Sequence, residues 1–180
     1  MKSTEFTVLS VEASRRRALC EQSREFYTAK IPEVAILSAA DALQRQNIIL
    51  VDVRTVEERR VGMIKGAIAR DEFETRYPTV NALPEGAEVA PYCTIGFRSG
   101  LYARELINDK GFSSSQVLNH EGILMHTYER QPLVSGDSGD EQQSPQVHTY
   151  AYPWSGLADP TFEVRYFGIR GFLANLCKIS

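Results

Sequence analysis

The sequence lacks several features that mark whole classes of protein. No apolar run approaches the roughly 20 residues needed to cross a bilayer, so we expect no membrane association. Lysine and arginine number 20 against 23 acidic residues, and this net charge of −3 gives no reason to expect a nucleic-acid partner. Residues 1–10 lack the long apolar core of a secretory signal. Acidic residues flank the arginines at 15–17, which disfavours organelle targeting without excluding it, so we expect a cytoplasmic protein.

Cysteine is also scarce. The three cysteines, Cys20, Cys93 and Cys177, are widely spaced, and no pair has the spacing of metal ligands. Any disulfide would leave one cysteine unpaired, so a reducing compartment fits best. We therefore expect no metal and no organic cofactor, and the question becomes which thiol is reactive.

The order of apolar segments indicates the fold class. Short apolar runs that predict strands alternate with segments that predict helices, which is typical of an α/β domain with a mostly parallel central sheet flanked by helices. The predicted strands lie at residues 48–53, 64–68, 88–92 and 117–118. The predicted helices lie at residues 14–29, 39–43, 57–61, 99–110 and 123–129.

The 180 residues divide into four predicted segments. Residues 1–33 are expected to form an N-terminal helical extension, and residues 34–134 the α/β domain. Residues 135–146 contain no side chain that would anchor them in a core, so they predict a flexible linker. Residues 147–180 are rich in aromatic side chains but too short for a separate domain, so we expect them to pack on the main domain or on a protein partner.

The stretch from Cys93 to Gly100 carries the candidate site. It follows a predicted strand and precedes a predicted helix, which is where ligands bind in open parallel sheets. The N–H groups of a helix N-terminus, the flexible backbone at Gly96 and the guanidinium of Arg98 all favour negative charge at the Cys93 sulfur. A lone cysteine at a strand end is often only a small buried hydrophobe. Glycine and arginine at these positions favour a reactive thiol that loses its proton more readily than an ordinary cysteine.

Three motifs follow one another along the chain. They lie at Val51–Arg54 with residues 57–58 and 62–68, at Tyr92–Ser99, and at Leu118–Ile123. In this order they resemble the entry motif, the active-site loop, and the later strand with its glycine of the rhodanese-like sulfurtransferase family, and the resemblance covers about residues 34–134.

The resemblance implies a rhodanese-like fold and a sulfurtransferase. The family's catalytic cysteine maps onto Cys93, which would take a sulfane sulfur from a small-molecule donor such as thiosulfate or a persulfide. A thiol or cyanide acceptor would then remove that sulfur from the Cys93 persulfide. The substrate-binding loop would consist of Thr94, Ile95, Gly96, Phe97 and Arg98, and the supporting residues would be Asp52, Arg54 and Ser99. We expect Asp52 and Arg54 to form a structural ion pair.

Three positions depart from the family pattern. Pro91 cannot donate a backbone hydrogen bond, so the strand before Cys93 is expected to be irregular or unpaired there. Met63 stands where the family often has a histidine, and we expect the change to affect packing. Thr94 stands where thiosulfate-using members often carry arginine, which weakens the expectation that thiosulfate is the donor.

Two other functions stay open. In the phosphatases and arsenate reductases that the fold also resembles, five residues separate the cysteine from the arginine of the active-site loop. In this sequence, four residues separate Cys93 from Arg98. The shorter loop suits one sulfur atom better than a tetrahedral oxyanion. The second alternative is a noncatalytic interaction module that docks through residues 147–180. We expect surface or packing roles for His120, His126 and His148, structural roles for Cys20 and Cys177, and a core or interface position for Trp154.

Overall fold

The computed structural model describes residues 2–135 and 142–168, with side chains from residue 10 onward. It confirms the predicted α/β class, with parallel sheets flanked by helices. The helices are α1 (Lys2–Thr28), α2 (Ala39–Ala42), α3 (Val56–Val61), α4 (Arg70–Arg76), α5 (Phe97–Asn108) and α6 (Ile123–Thr127). The strands are β1 (Ile36–Leu37), β2 (Ile48–Asp52), β3 (Met63–Ile64), β4 (Ile68–Ala69), β5 (Glu88–Tyr92), β6 (Asn119–His120), β7 (Leu133–Val134), β8 (Gln143–Ser144), β9 (Gln146–His148) and β10 (Glu163–Arg165). None of the helices in these two ranges is both long and apolar enough to span a membrane.

The central parallel sheet places Cys93 at the carboxyl end of a buried strand. Strand β2 lies between β4 and β5, with Val51 opposite both Ile68 and Pro91. A bridge between Val89 and Val117 joins β5 to the segment that leads into β6, and β6 pairs in parallel with β1. Cys93 follows β5 directly and therefore lies at the edge where parallel sheets bind ligands.

Pro91 disturbs only one side of β5. Val89 pairs with the segment that precedes β6, since its N–H donates to Gln116 and its C=O accepts from Leu118. Backbone groups alternate along a strand, so the prolyl nitrogen faces the same side. The pairing described on that side is a single isolated bridge, whereas the ladder with β2 continues through Pro91. The irregularity predicted for this strand is therefore limited to the side facing β6.

The two terminal segments pack on the α/β domain. Cys20 of α1 and Val147 of β9 are fully buried and belong to the same apolar cluster as Tyr92 and Ile123. Leu157 is also buried in this cluster. Packing on the main domain was one of the two arrangements expected for residues 147–180, and it is the one that their described part adopts.

The single strand predicted at residues 64–68 is wrong. The left-handed backbone at Gly66, with φ at +76°, turns the chain between β3 and β4, which pair in different sheets. The Ala67 N–H closes this turn on the carbonyl of Ile64. Helix α4 follows β4 at once, and the sequence reading had missed it.

The predicted linker at residues 135–146 is wrong at its C-terminal end. Strand β8 pairs antiparallel with β7, with Ser144 opposite Leu133. The Ser144 hydroxyl also donates to the carbonyl of Val61 at 2.7 Å. A polar segment thus joins the sheet through backbone pairing rather than through an apolar anchor. Residues 136–141 of the predicted linker lie outside the described part of the chain.

Candidate active site

The loop after β5 lies on a tightly packed base made by the start of α6. The N–H of Ile123 donates to the carbonyl of Cys93 at 2.9 Å, and the N–H of Leu124 donates to that of Thr94 at 3.2 Å. Gly122 allows this approach, because a Cβ on it would lie 2.5 Å from the carbonyl oxygen of Thr94. Its φ of +106° also favours glycine. Two carbonyl groups of the loop are therefore held against α6.

Pinning the carbonyls directs the loop's N–H groups the other way, because the C=O and N–H of one trans peptide point in opposite directions. The N–H groups of Thr94 and Ile95 thus point away from α6. Gly96, with φ at +91°, directs its carbonyl to the Asn119 side-chain amide at 2.8 Å, and α5 starts at Phe97. Within the described residues, the backbone N–H groups of positions 94–97 donate no hydrogen bond to the protein.

Arg98 is held by a carboxylate that the sequence reading had not assigned to the site. Its two terminal nitrogens each donate to one oxygen of Glu58, both at 2.8 Å. One of them also lies 3.2 Å from the hydroxyl of Thr94. Burial alone would raise the pKa of Glu58, but the hydrogen bonds and charge of Arg98, together with Arg54, lower it to about 2. Glu58 is therefore ionised, and the guanidinium fork predicted to face the substrate is largely engaged.

Asp52 and Arg54 form the buried ion pair that the sequence led us to expect. An Arg54 terminal nitrogen lies 2.6 Å from Asp52, and both side chains are inaccessible to solvent. That nitrogen also donates to the carbonyl of Gly62. The Tyr92 hydroxyl donates to Asp52 at 2.6 Å and accepts from the N–H of Ile64. This network fixes the end of β5 immediately before Cys93.

Ser99 lies next to the candidate nucleophile. Its hydroxyl donates to the Asn119 side-chain carbonyl at 2.8 Å and lies 3.6 Å from the Cys93 sulfur. A hydroxyl has one hydrogen to donate, so in this arrangement the Ser99 hydroxyl donates it to Asn119 and not to the Cys93 sulfur. The same Asn119 supports Gly96, so one buried amide couples the loop to the first turn of α5.

Cys93 opens onto a cavity of about 240 Å³. The loop provides one side of this cavity, through Thr94, Ile95, Phe97 and Arg98. The other side consists of Tyr27 from α1 and of Tyr150 and Trp154 from the C-terminal segment, a set we call the aromatic wall. Trp154, expected to be only a core or interface residue, therefore lines the cavity. Sequence spacing gave no signal for the wall, because its members lie far from the loop in sequence.

The three histidines are buried, which fits a packing role and not the surface role that the sequence also left open. Burial lowers the pKa of His120 to about 3, and that of His126 and His148 to about 4. His148 accepts the N–H of Tyr150 on Nδ1, which lies 3.9 Å from Glu58. A neutral, accepting Nδ1 forms no ion pair with that carboxylate.

The other cysteines differ from Cys93 in their surroundings. Cys20 is fully buried, and burial together with the charge of Glu121 raises its pKa to about 12. Cys177 lies outside the described residues. Within residues 2–135 and 142–168, no three histidine, cysteine or acidic side chains are grouped to hold a metal ion.

Comparisons with known proteins identify the central part of the chain. Residues 37–123 match the family model described as the rhodanese-like domain. The tRNA uridine(34) hydroxylase of Oceanobacillus iheyensis is 34% identical over 111 residues, which cover 56% of this chain and 32% of that protein. The Bacillus cereus protein of the same name is 29% identical over 107 residues, covering 57% and 32%. The chain thus spans about a third of the length of these curated relatives.

Two solved structures are similar to part of the chain. A rhodanese-related protein from Thermoplasma volcanium is 22% identical, covers 56% of this chain and 97% of its own, and has a TM-score of 0.43. A thiosulfate sulfurtransferase from Pseudomonas aeruginosa is 19% identical, covers 66% of this chain and 23% of its own, and has a TM-score of 0.47.

Proposed function

Because residues 37–123 form a rhodanese-like domain, we propose that this chain is a sulfurtransferase that carries a sulfane sulfur on Cys93. The observation that carries the proposal is the position of Cys93 at the start of a loop whose N–H groups at Thr94, Ile95 and Phe97 have no protein acceptor among the described residues. Donors fixed in advance around one atom stabilise an anion there at little reorganisation cost. A thiolate and the terminal sulfur of a persulfide are both such anions.

The proposed first step loads the enzyme. The Cys93 thiolate attacks the outer sulfur of a persulfide R–S–SH and forms a new S–S bond. The donor's S–S bond breaks, its electron pair leaves with R–S⁻, and Cys93 becomes Cys93–S–SH. With thiosulfate as the donor, sulfite would be the leaving group.

The second step removes the outer sulfur from the Cys93 persulfide. An acceptor thiolate attacks the outer sulfur of Cys93–S–SH, takes that sulfur as its own persulfide and releases the Cys93 thiolate. Cyanide would take the same sulfur as thiocyanate. The two half-reactions together form a ping-pong cycle with no net oxidation. The Glu58–Arg98 pair positions the loop, since Arg98 also contacts the Thr94 hydroxyl.

The test is sulfur uptake measured by intact mass. The protein incubated with a persulfide donor should gain one sulfur atom, and cyanide should remove it as thiocyanate. Cys93→Ser should abolish the gain, because a serine hydroxyl stays protonated and carries no sulfane sulfur. Cys20→Ala is the matched control and should load normally, since Cys20 is buried away from the cavity. Cys93-dependent hydrolysis of an aryl phosphate without sulfur uptake would instead favour a phosphatase.

The curated relatives suggest a second candidate, a part in the hydroxylation of a tRNA uridine. The 34% identity to the Oceanobacillus iheyensis protein favours it. The small negative net charge offers little attraction for tRNA. Mass analysis of nucleosides from tRNA incubated with the chain and with dioxygen, as the oxidant and oxygen source that a hydroxylation needs, would test this candidate. Gain of one oxygen on uridine, lost in Cys93→Ser, would support it over sulfur transfer to small molecules.

A further inference from the structure

Among the described residues that line the cavity at Cys93, none carries an unpaired positive charge. Arg98 is the only cation among the residues described as lining it, and both of its terminal nitrogens bind Glu58. The buried Arg54 is paired with Asp52 through Nε and one terminal nitrogen, and its other terminal nitrogen has no hydrogen-bond partner among the described residues. The two buried pairs therefore sum to zero charge around the loop.

A charged donor would lose its hydration in this cavity without gaining an ion pair. Transferring an anion from water to apolar surroundings is costly unless a counter-charge replaces the water. The free N–H groups of the loop compensate for one negative charge at the reacting sulfur. A dianion such as thiosulfate, or a persulfide with a carboxylate near its sulfur, brings a second negative charge. The loop N–H groups do not compensate for that second charge.

The aromatic wall offers apolar contacts in place of charge. The ring centroid of Tyr27 lies 5.5 Å from the ring centroid of Phe97 and 5.5 Å from that of Trp154. The guanidinium carbon of Arg98 lies 4.7 Å from the ring centroid of Tyr150. These rings pack on one another and present apolar surface to the cavity, which favours contact with an apolar group. The exposed Lys30 lies over the Phe26 and Tyr27 rings and 6.0 Å from the Phe97 ring centroid, but it is not among the residues described as lining the cavity.

The cavity's size limits the donor further. Pockets for drug-sized ligands occupy about 300–1,000 Å³, and this one has about 240 Å³. We propose that the donor is a compact persulfide whose organic group is apolar and uncharged, and that Trp154 determines this specificity by contact with that group. This inference rests on the proposed sulfur transfer and names its substrate class.

A matched pair of donors tests the charge rule. Benzyl persulfide and 4-carboxybenzyl persulfide share the reacting group and differ by one carboxylate. The rate constant for sulfur uptake is followed by quenched-flow mass spectrometry. It should be at least tenfold higher with benzyl persulfide than with 4-carboxybenzyl persulfide, and the ratio of benzyl persulfide to thiosulfate should be larger still. Equal rates with the two persulfides, or faster loading from thiosulfate, would overturn the inference and leave the proposed function intact.

Two neighbouring aromatic residues provide a matched pair of variants. Trp154→Ala should lower the rate constant for benzyl persulfide about tenfold and that for thiosulfate less than twofold, because only the benzyl group contacts the ring. Tyr152 is in the same turn but is 73% exposed and does not line the cavity, so Tyr152→Ala should change neither rate more than twofold. Parallel losses for both donors in Trp154→Ala would mean that the residue supports the fold rather than the specificity.

A binding measurement separates the inference from the proposed chemistry. Trp154 is the chain's only tryptophan, so its fluorescence reports directly on the cavity. Benzyl methyl sulfide, which donates no sulfane sulfur, should change the emission at concentrations at least tenfold lower than its 4-carboxy analogue. If this preference is found while no donor loads Cys93, the sulfur-transfer proposal fails and the pocket assignment stands. Equal binding of the two probes contradicts the assignment.

Discussion

The loop of residues 93–98 and the aromatic wall face the same cavity, but they come from different parts of the chain and act through different forces. The loop lies inside the rhodanese-like match and is held by buried ion pairs and backbone hydrogen bonds. Tyr27, Tyr150 and Trp154 lie outside that match and contribute aromatic surface. The difference separates reactivity, which the loop would supply, from choice of substrate, which the wall would supply.

The largest expected effect lies on the charged side of the cavity. Glu58→Ala removes the partner of Arg98, and a buried pair broken on one side costs about 3–5 kcal/mol. The free energy of unfolding, measured by chemical denaturation, should fall by that amount. Glu72→Ala is the control, since its ion pair with Arg76 is exposed and worth about 1 kcal/mol or less. Equal losses in the two variants would show that the loop does not depend on its buried charge.

The next effect is a pH dependence that distinguishes the two regions. Burial lowers the pKa of His148, in the C-terminal segment, to about 4. Below pH 6.5 this side chain binds a proton in the unfolded chain but not in the folded chain, so its contribution to the free energy of unfolding falls by about 1.4 kcal/mol per pH unit down to about pH 4. His148→Asn, which keeps an acceptor for Tyr150, should reduce the slope of unfolding free energy against pH by that amount.

Glu58 affects the free energy of unfolding over a lower pH range than His148 does. Its pKa is lowered from about 4.5 to about 2, so its contribution is complete above pH 4.5 and is lost as the pH falls towards 2. The slope between pH 6.5 and 4.5 should therefore not change in Glu58→Gln. An unchanged slope in His148→Asn would mean that His148 is charged in the folded protein and paired with Glu58, which would join the two regions electrostatically.

A pair of glycine variants examines the base of the loop. Gly122 and Gly111 both have positive φ, so alanine strains the backbone at Gly111 by about 1–2 kcal/mol and at Gly122, where ψ is 163°, by up to about 3 kcal/mol. Only at Gly122 would the added Cβ also meet the backbone of Thr94, whereas Gly111 has open space around it. Gly122→Ala should therefore destabilise more than Gly111→Ala in thermal unfolding and slow sulfur uptake, which Gly111→Ala should leave unchanged. Equal effects would show that α6 does not shape the loop.

The smallest expected effect is at Ser99. Ser99→Ala leaves the Asn119 carbonyl without its donor, at a cost of about 1 kcal/mol. It also loosens Asn119, whose side-chain amide supports the loop through the Gly96 carbonyl, so alkylation of Cys93 by iodoacetamide should slow a few-fold in peptide mapping. Ser115→Ala, at an exposed position, is the control. Labelling of Cys20 as fast as Cys93 would contradict the expected difference, because burial raises the Cys20 pKa to about 12.

The sequence around Glu58 contains a local helix-start pattern, but it does not show that Glu58 pairs with Arg98. The pattern from Thr55 to Glu58 is a capping box, and the structure contains both of its hydrogen bonds at the start of α3. That local signal predicts a helix start. The pairing of Glu58 with Arg98, 40 positions along the chain, depends on how α3 and α5 meet at the sheet edge, and periodicity does not reveal it.

Local patterns alone determined the α/β class, the strand before Cys93, the turn at Gly96 and the helix that follows, because each depends on residues close together in sequence. They failed for β8, whose polar residues are held by backbone pairing with β7, and for the single strand expected across Gly66. Only the tertiary structure decided that Arg98 is neutralised and that Tyr27 and Trp154 line the cavity. Contacts between distant segments set the charge and shape of this site, and such contacts form only when the whole chain packs.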